Sequence, residues 1–257
     1  MMSAPFRVWG TWTNGCKGMN LRITLQPAYV LHRRPFQNTS LLVDLFTLDF
    51  GLIRAVAKGA RREKSRSRAL LQLFQPLLIS VSGKGEVKTL TSVESNIAAM
   101  RLQGERLFSG LYINELLCRL LQNHEEHAGL YKSYREALVA LQGTSQLEPM
   151  LRRFEMSLLA ELGYAINLQH DWKTDLPNVA ESVYRFIPDL GFQASSLSAG
   201  AASGPTEFRG ADLVALRGMD FADEQTVQAA KRLLRLALSA HLGDKPLHSR
   251  GLFGVST

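Results

Sequence analysis

A period of two residues runs through Ser40-Leu41-Leu42-Val43-Asp44-Leu45-Phe46-Thr47. Leu41, Val43 and Leu45 fall on one face of an extended chain, and Leu42, Asp44 and Phe46 fall on the other. This alternation is typical of a half-buried β-strand, because successive side chains of a strand point to opposite faces. Since one face carries an aspartate, we expect that face to be the wetter of the two.

The same period recurs on both sides of this stretch. It predicts strands at residues 28–32, 52–58, 76–82 and 86–93, separated by turn sequences such as RPFQN at 34–38 and SGKG at 82–85. In the last strand, Val87 and Val93 are expected on one face together with Thr89 and Thr91. Five strands in so short a segment favour a closed barrel, because closure removes the unpaired sheet edges. The predicted fold class is α+β, with an N-terminal five-stranded OB-type β-barrel.

The longest connection between these strands is strongly basic. It runs from Lys58 to Arg68 and carries six cations against the single carboxylate of Glu63. Such a charge run is often only a solvated surface turn. Further cations in the same segment favour nucleic-acid binding, because OB-type barrels bind single strands in cationic grooves. The candidate DNA-binding residues are Arg33, Arg34, Arg54, Lys58, Arg61, Arg62, Lys64, Arg66, Arg68, Lys84 and Lys88.

The composition also favours a polyanionic partner. The 257 residues carry a formal net charge of +7 and have a pI of about 9.6. Nucleic acid is favoured over a membrane, because no predicted helix combines a basic face with bulky apolar anchors and no apolar run could span a bilayer. Cys16 and Cys118 are too few for a disulfide framework or a four-cysteine zinc site. We expect a protein of the reducing cytoplasm.

The period changes from two to 3.6 near residue 95. Helices are predicted at 106–122, 126–142, 146–162 and 223–241, each with an apolar stripe. Residues 164–215 are less regular, with a short hairpin around Pro188-Asp189 and a mobile Ala/Ser/Gly-rich loop at 194–206. The predicted domains are a flexible arm at 1–24, a barrel at 25–97 and a helical domain at 98–257. We further hypothesise that the native chain starts at Met19.

The sequence contains no recognisable catalytic motif. His124 and His127 are three residues apart, whereas the helical metalloprotease motif places its histidines four apart. Cys118 falls beside the apolar stripe of a helix, which is typical of a core thiol. We therefore expect a binding protein without catalytic residues, metal or cofactor.

A series of short motifs resembles the RecO family of bacterial recombination mediators. In the predicted barrel these are VLHRRP at 30–35, VAKGAR at 56–61 and GKGEVKTL at 83–90. In the helical region they include SGLYINELL at 109–117, LGY at 162–164 and AAKR at 229–232. Together these motifs cover residues 25–253 in the order found in the family. The ordered set is more specific than any single motif.

The resemblance implies a non-catalytic DNA repair and recombination mediator, cytoplasmic and associated with the nucleoid. Such a protein would bind single- and double-stranded DNA and anneal complementary strands. With RecR as a partner it would help to load RecA onto strands covered by single-stranded-DNA-binding protein. Many members carry a four-cysteine zinc module after the LGY segment, but residues 167–184 here contain no cysteine. We expect hydrophobic packing in its place.

The resemblance also implies a second site, which would bind the acidic and apolar C-terminal tail of the single-stranded-DNA-binding protein. Such a site needs an apolar pocket with a cation at its mouth. The candidate residues are Lys132, Leu151, Arg152, Arg153 and Phe154, and solvated arginines are the alternative interpretation. An RNA-binding OB module on a helical scaffold remains the alternative function for the whole chain.

Overall fold

The computed structural model describes residues 21–198, 204–243 and 245–254. Most of the predicted N-terminal arm lies outside these residues, as do positions 199–203 of the predicted mobile loop. Residues 21–24, which the sequence assigned to the arm, lie in the first strand. Positions 194–198 of the predicted loop also belong to a strand.

The N-terminal region is a closed five-stranded barrel of the OB type, as predicted. The strands are β1 (Leu21–Phe36), β2 (Ser40–Thr47), β3 (Gly51–Ala57), β4 (Leu77–Gly83) and β5 (Val87–Glu94). They follow the order β1-β2-β3-β5-β4, and β4 returns to pair with β1. All neighbours are antiparallel except β3 and β5, which run parallel.

The interior of the barrel follows the predicted alternation in most strands. Val43 and Leu45 of β2, and Ile79 and Val81 of β4, are fully buried in one apolar cluster. The prediction that the Asp44 face of β2 is exposed to water is wrong, because all eight residues of this strand are buried. Tyrosine rings of the helical region cover Phe46 on its second face.

The predicted face of β5 is also wrong. A register shift leaves Thr91 as an extra residue, because Ser80 pairs with Ser92 whereas Val81 pairs with Leu90. Such a bulge breaks the period of two. Leu90 and Val93 therefore both pack against the barrel core, whereas Val87 is 47% exposed.

The four long helices are confirmed within two residues at each end. They are α2 (Gly104–Leu120), α3 (Ala128–Gln142), α4 (Leu147–Glu161) and α6 (Glu224–Leu242). Asp223 caps α6 by accepting a hydrogen bond from the Gln225 N–H, and Gly243 ends this helix with a φ of 67°. Two short helices were not predicted from the sequence, α1 (Arg66–Leu70) in the basic loop and α5 (Gly210–Arg217).

The region predicted as irregular contains a small three-stranded sheet of order β7-β6-β8. The predicted hairpin is confirmed as β6 (Ser182–Ile187) and β7 (Gly191–Ser198), and β8 (Glu207–Arg209) adds a third strand. Phe186, Phe192 and Phe208 pack with their ring centroids 5.2–6.5 Å apart. This aromatic cluster confirms the expectation of hydrophobic packing.

Barrel and helices share one apolar core at their junction. Gly51, at the start of β3, has a φ of +56° and lies against the 123–125 connection between α2 and α3. A Cβ atom at this position would lie 1.7 Å from the carbonyl oxygen of Glu125. The close approach of the two backbones therefore requires glycine.

We expect Gly51→Ala to lower the free energy of unfolding by about 3 kcal/mol, because a side chain strains the positive φ and separates the barrel from the helices. Gly85→Ala is the matched control, because a Cβ atom added in this turn would meet no other atom within 4 Å. Urea denaturation followed by circular dichroism measures both variants. Equal stability of the two would contradict the tight junction.

Candidate nucleic-acid interface

The outer face of the barrel presents two transverse rows of side chains across β1, β2 and β3. Residues directly opposite in a ladder lie on the same face of the sheet. One row joins His32, Asp44 and Arg54, and the next joins Arg34, Leu42 and Val56. Between these rows, Val43 and Ala55 point into the barrel and are fully buried.

Helices cover the part of this face farthest from the β1–β2 turn. The rings of Tyr29 and Phe46 lie 5.2–5.9 Å from those of Tyr131 and Tyr134 on α3. In the part nearest the turn, Arg34 of β1 is exposed and Val56 of β3 is half-buried, whereas Leu42 of β2 between them is buried. We call this part the open half of the face, because no helix covers Arg34 there.

Asp44 and Arg54 form an ion pair at the border between the covered and open halves. The guanidinium Nε donates to the Asp44 carboxylate at 2.6 Å. This hydrogen bond raises the pKa of Arg54. The side chain of Arg54 is still 41% exposed, so the ion pair leaves it accessible to solvent.

The basic loop docks onto the β1–β2 turn. The backbone N–H of Arg61 donates to the Thr39 carbonyl at 2.9 Å, and its guanidinium lies 3.3 and 3.4 Å from the carbonyl oxygens of Gln37 and Asn38. The loop therefore stands at the same end of the barrel as the open half. Its other cations are all exposed, namely Lys58, Arg62, Lys64, Arg66 and Arg68.

Phe36 adds an exposed aromatic ring that sequence reasoning missed. It was assigned to the turn, but β1 extends through Pro35 to Phe36, which pairs with Ser40. The ring is 37% exposed at the end of the strand, next to the docked loop. The sequence signal for this ring is the alternation of Arg34, Pro35 and Phe36. In an extended chain, this alternation puts the arginine and the phenylalanine on the same face.

Three predicted DNA-binding cations are not part of this open surface. Arg33 points into the end of the barrel, where it donates to the Leu71 carbonyl at 2.8 Å. Lys88 is only 6% exposed and donates to the Gly85 carbonyl at 2.7 Å. Lys84 is exposed, but its hairpin lies at the opposite end of the barrel, because Gly83 pairs with Leu21, the first residue of β1, whereas the basic loop contacts the turn that follows the last residue of β1.

Two cations of the C-terminal helix are engaged within the protein. The Lys231 ammonium lies 2.8 Å from the Glu148 carboxylate, and Arg232 donates to the Glu207 carbonyl at 2.6 Å. The guanidinium of Arg232 also lies 4.5 Å from the centre of the Phe208 ring. These contacts make α6 a weaker candidate for DNA binding than the barrel.

The structure divides the candidate tail-binding residues among three environments. Arg153 and Phe154 line a groove of about 450 Å³ between α3 and α4. Arg152 is buried and paired with Glu155 at 3.0 Å, and Leu151 is buried in the core. Lys132 belongs to a different cleft, between α3 and the barrel.

Two titratable side chains outside these surfaces, Cys118 and His127, lie in the interior of the protein. Burial raises the pKa of the Cys118 thiol to about 12, which agrees with the expectation of a core thiol. His127 is 5% exposed at the start of α3, 3.7 Å from the Glu125 carboxylate. Within residues 21–198, 204–243 and 245–254, no three His, Cys, Asp or Glu side chains are grouped to hold a metal. In the same ranges, no helix is long and apolar enough to cross a membrane.

Comparison with known proteins identifies the family. The family model described as Recombination protein O N terminal matches residues 19–96, and the one described as Recombination protein O C terminal matches residues 101–251. The chain belongs to the RecO family. Membership in RecO agrees with the OB-type barrel and with the expectation of a DNA repair protein that is not an enzyme.

Curated relatives extend this similarity over nearly the whole chain, and each is named DNA repair protein RecO. The protein from Actinobacillus succinogenes is 44% identical over 90% of this chain and 95% of its own length. That from Haemophilus influenzae KW20 is 42% identical over 89% and 95%, and that from Escherichia coli O139:H28 is 44% identical over 89% and 93%.

The residues after the LGY segment do not fit the zinc module of many RecO proteins. In this segment the carboxylate of Asp171 is 3% exposed and accepts backbone N–H groups from Lys173 and Thr174 at 2.8 and 2.9 Å and from Ala194 at 2.5 Å. The bond from Ala194 connects the 171–175 turn to β7. Asp171 therefore joins two parts of the small sheet through hydrogen bonds, and no zinc ligand is needed to join them.

We expect Asp171→Asn to lower the free energy of unfolding by about 2 kcal/mol near pH 7, because hydrogen bonds to a charged acceptor are lost. Burial opposes ionisation of Asp171, but the backbone N–H groups outweigh it and lower its pKa below the unfolded value. Its contribution is therefore present above the unfolded pKa and is lost as the pH falls towards the folded pKa.

Thermal unfolding of wild type and variant between pH 3 and pH 7 tests this contribution. The stability difference should shrink as the pH falls below about 4, the ordinary pKa of an aspartate. Asp175→Asn, at an exposed position in the same turn, is the matched control. A difference that stays constant with pH would exclude the ionised carboxylate as its cause.

Proposed function

We propose that the protein is a recombination mediator that binds single- and double-stranded DNA on the open half of its barrel. The observation that carries this proposal is the docking of the basic loop onto the β1–β2 turn. This docking brings the cations of the loop, including Lys58, next to Arg34 and Phe36. A cationic groove with an exposed aromatic ring is the arrangement by which OB folds bind single strands.

Binding through this surface is mainly electrostatic. Exposed arginine and lysine side chains neutralise phosphates and release counterions, so binding depends strongly on salt and weakly on sequence. If four to six phosphates are engaged, log K falls with log salt with a slope on the order of −3 to −5. The proposed contact residues are Arg34, Phe36, Arg54, Lys58, Arg62, Lys64, Arg66 and Arg68.

Strand annealing follows from the same contacts. The cations bind the sugar-phosphate backbone, which leaves most base edges free to pair with a second strand. Neutralising part of the phosphate charge also lowers the repulsion between two complementary strands. No bond is made or broken, so the activity needs neither a catalytic group nor a cofactor.

The proposed partners follow from family membership. We propose that the protein acts with RecR to help load RecA onto strands covered by single-stranded-DNA-binding protein. The α3–α4 groove is the proposed site for the tail of the single-stranded-DNA-binding protein. Phe154, Met150 and Pro149 give this groove apolar walls, and the exposed Arg153 supplies the cation that an acidic tail requires.

We expect Arg62→Ala/Lys64→Ala to weaken single-stranded DNA binding and to make the salt slope less negative by about 2, because two phosphate contacts are lost. Fluorescence anisotropy of a labelled oligonucleotide at several salt concentrations measures both effects. Lys231→Ala/Arg235→Ala on α6 is the control. Loss of affinity in this control alone would move the DNA site to α6, and a preference for RNA of equal length would favour the RNA-binding alternative.

We expect Arg153→Ala to weaken binding of the acidic tail peptide by about tenfold, because the charged contact to a carboxylate is removed. Lys132→Ala removes a cation that lines the cleft between α3 and the barrel instead of this groove, and affinity for the tail peptide should not change. Isothermal titration calorimetry with the peptide distinguishes the two. The reverse order of effects would exclude the α3–α4 groove.

A further inference from the structure

A second, larger cleft lies between the barrel and α3. It shares Arg66 with the proposed DNA surface and no lining residue with the tail groove. Its volume is about 1170 Å³. One wall is formed by β4, β5 and the connection that follows β5, and the other wall is formed by α3. Arg66, at the start of α1, stands at its rim.

Exposed apolar side chains line both walls of this cleft. Leu78 on β4, Ile97 after β5 and Val139 on α3 are 42%, 55% and 56% exposed. The backbone that carries Ile97 is held in place, because its carbonyl accepts from Gln75 Nε2 at 3.1 Å and Ser95 Oγ donates to the Pro76 carbonyl at 2.7 Å. Grouped apolar residues on a fixed surface mark interaction sites in soluble proteins.

Cations surround this apolar surface. Lys132, Arg135 and Val139 are spaced three and four residues apart, so they form one stripe along α3. Arg66 faces them from the barrel, and Glu94 is the one carboxylate among the described residues that line the cleft. The net charge of the lining is therefore positive, and an occupant should carry carboxylates or phosphates together with apolar groups.

A protein segment fits this lining better than a nucleic acid strand. Tyr29 and Tyr131, the aromatic residues among the described part of the lining, are only 2% and 8% exposed. Their rings pack against each other and against neighbouring rings, so bases cannot stack on them. Nucleic-acid interfaces are also mainly polar, whereas this cleft exposes leucine, isoleucine and valine side chains.

We propose that the barrel–α3 cleft binds an acidic, amphipathic segment of a partner protein, at a site separate from the α3–α4 groove. Its apolar side chains would contact Leu78, Ile97 and Val139, and its carboxylates would pair with Lys132, Arg135 and Arg66. The two sites lie on different faces of α3, so both can be occupied in the same molecule.

The probe is a fluorescein-labelled synthetic peptide of twelve residues in which aspartate and leucine alternate. Ile97→Ser/Val139→Ser and Lys132→Gln/Arg135→Gln should each weaken its binding by about tenfold or more, the loss expected for about 1.4 kcal/mol. Arg217→Gln, an exposed cation at the end of α5, is the matched control and should bind like wild type. An unlabelled tail peptide should not displace the probe.

Several outcomes would overturn the proposal. These are absence of probe binding to the wild type, equal affinity in all variants, and displacement by the tail peptide. Oligonucleotide affinity is measured with the same proteins. If Ile97→Ser/Val139→Ser weakens oligonucleotide binding and leaves peptide binding unchanged, the cleft is a nucleic-acid site. Unchanged melting temperatures verify that the variants fold.

Discussion

The structure depends on the contact between four aromatic rings at the junction of barrel and helices. Tyr29 and Phe46 come from the outer face of the barrel, and Tyr131 and Tyr134 come from α3. Hydrogen bonds fix the contact, because the Tyr134 hydroxyl donates to Asn114 at 2.8 Å and the Asn114 amide donates to the Leu31 carbonyl at 2.9 Å. Burial raises the pKa of Tyr134 well above its ordinary value, so the hydroxyl keeps its proton.

This junction determines which surfaces remain open. By covering one half of the β1–β2–β3 face, α3 leaves the half next to the basic loop for a ligand. The opposite side of α3 forms the tail groove with α4, and a third surface forms the cleft with β4 and β5. One helix thus contributes to the boundaries of three surfaces, each with a cation at its edge.

The sequence was informative wherever a single period governed burial. The periods of two and 3.6 predicted the five strands and the four long helices, because each of these elements buries one regular stripe. They failed at β5, where the bulge at Thr91 shifts the face, and at β2, where the face that carries Asp44 is buried as well as the face inside the barrel. The small sheet was predicted only in part, because β8 has three residues and pairs with β6 across a long connection.

The candidate site was predictable in composition but not in geometry. The basic loop and Arg34 were found because clustered charge is visible in a sequence. That Lys88 and Arg33 bind backbone carbonyls was not visible, since it depends on which segments meet in space. Phe36 was missed because a proline at position 35 suggested a turn, whereas β1 continues through it.

Hydrogen exchange followed by mass spectrometry, with and without a single-stranded oligonucleotide, locates the DNA surface. Bound oligonucleotide should slow exchange at residues 32–40 and 54–66, where the open half of the barrel meets the basic loop. Exchange in α6 and in the small sheet should not change. Protection confined to residues 224–242, or absent from the barrel, would contradict the assignment of the DNA surface.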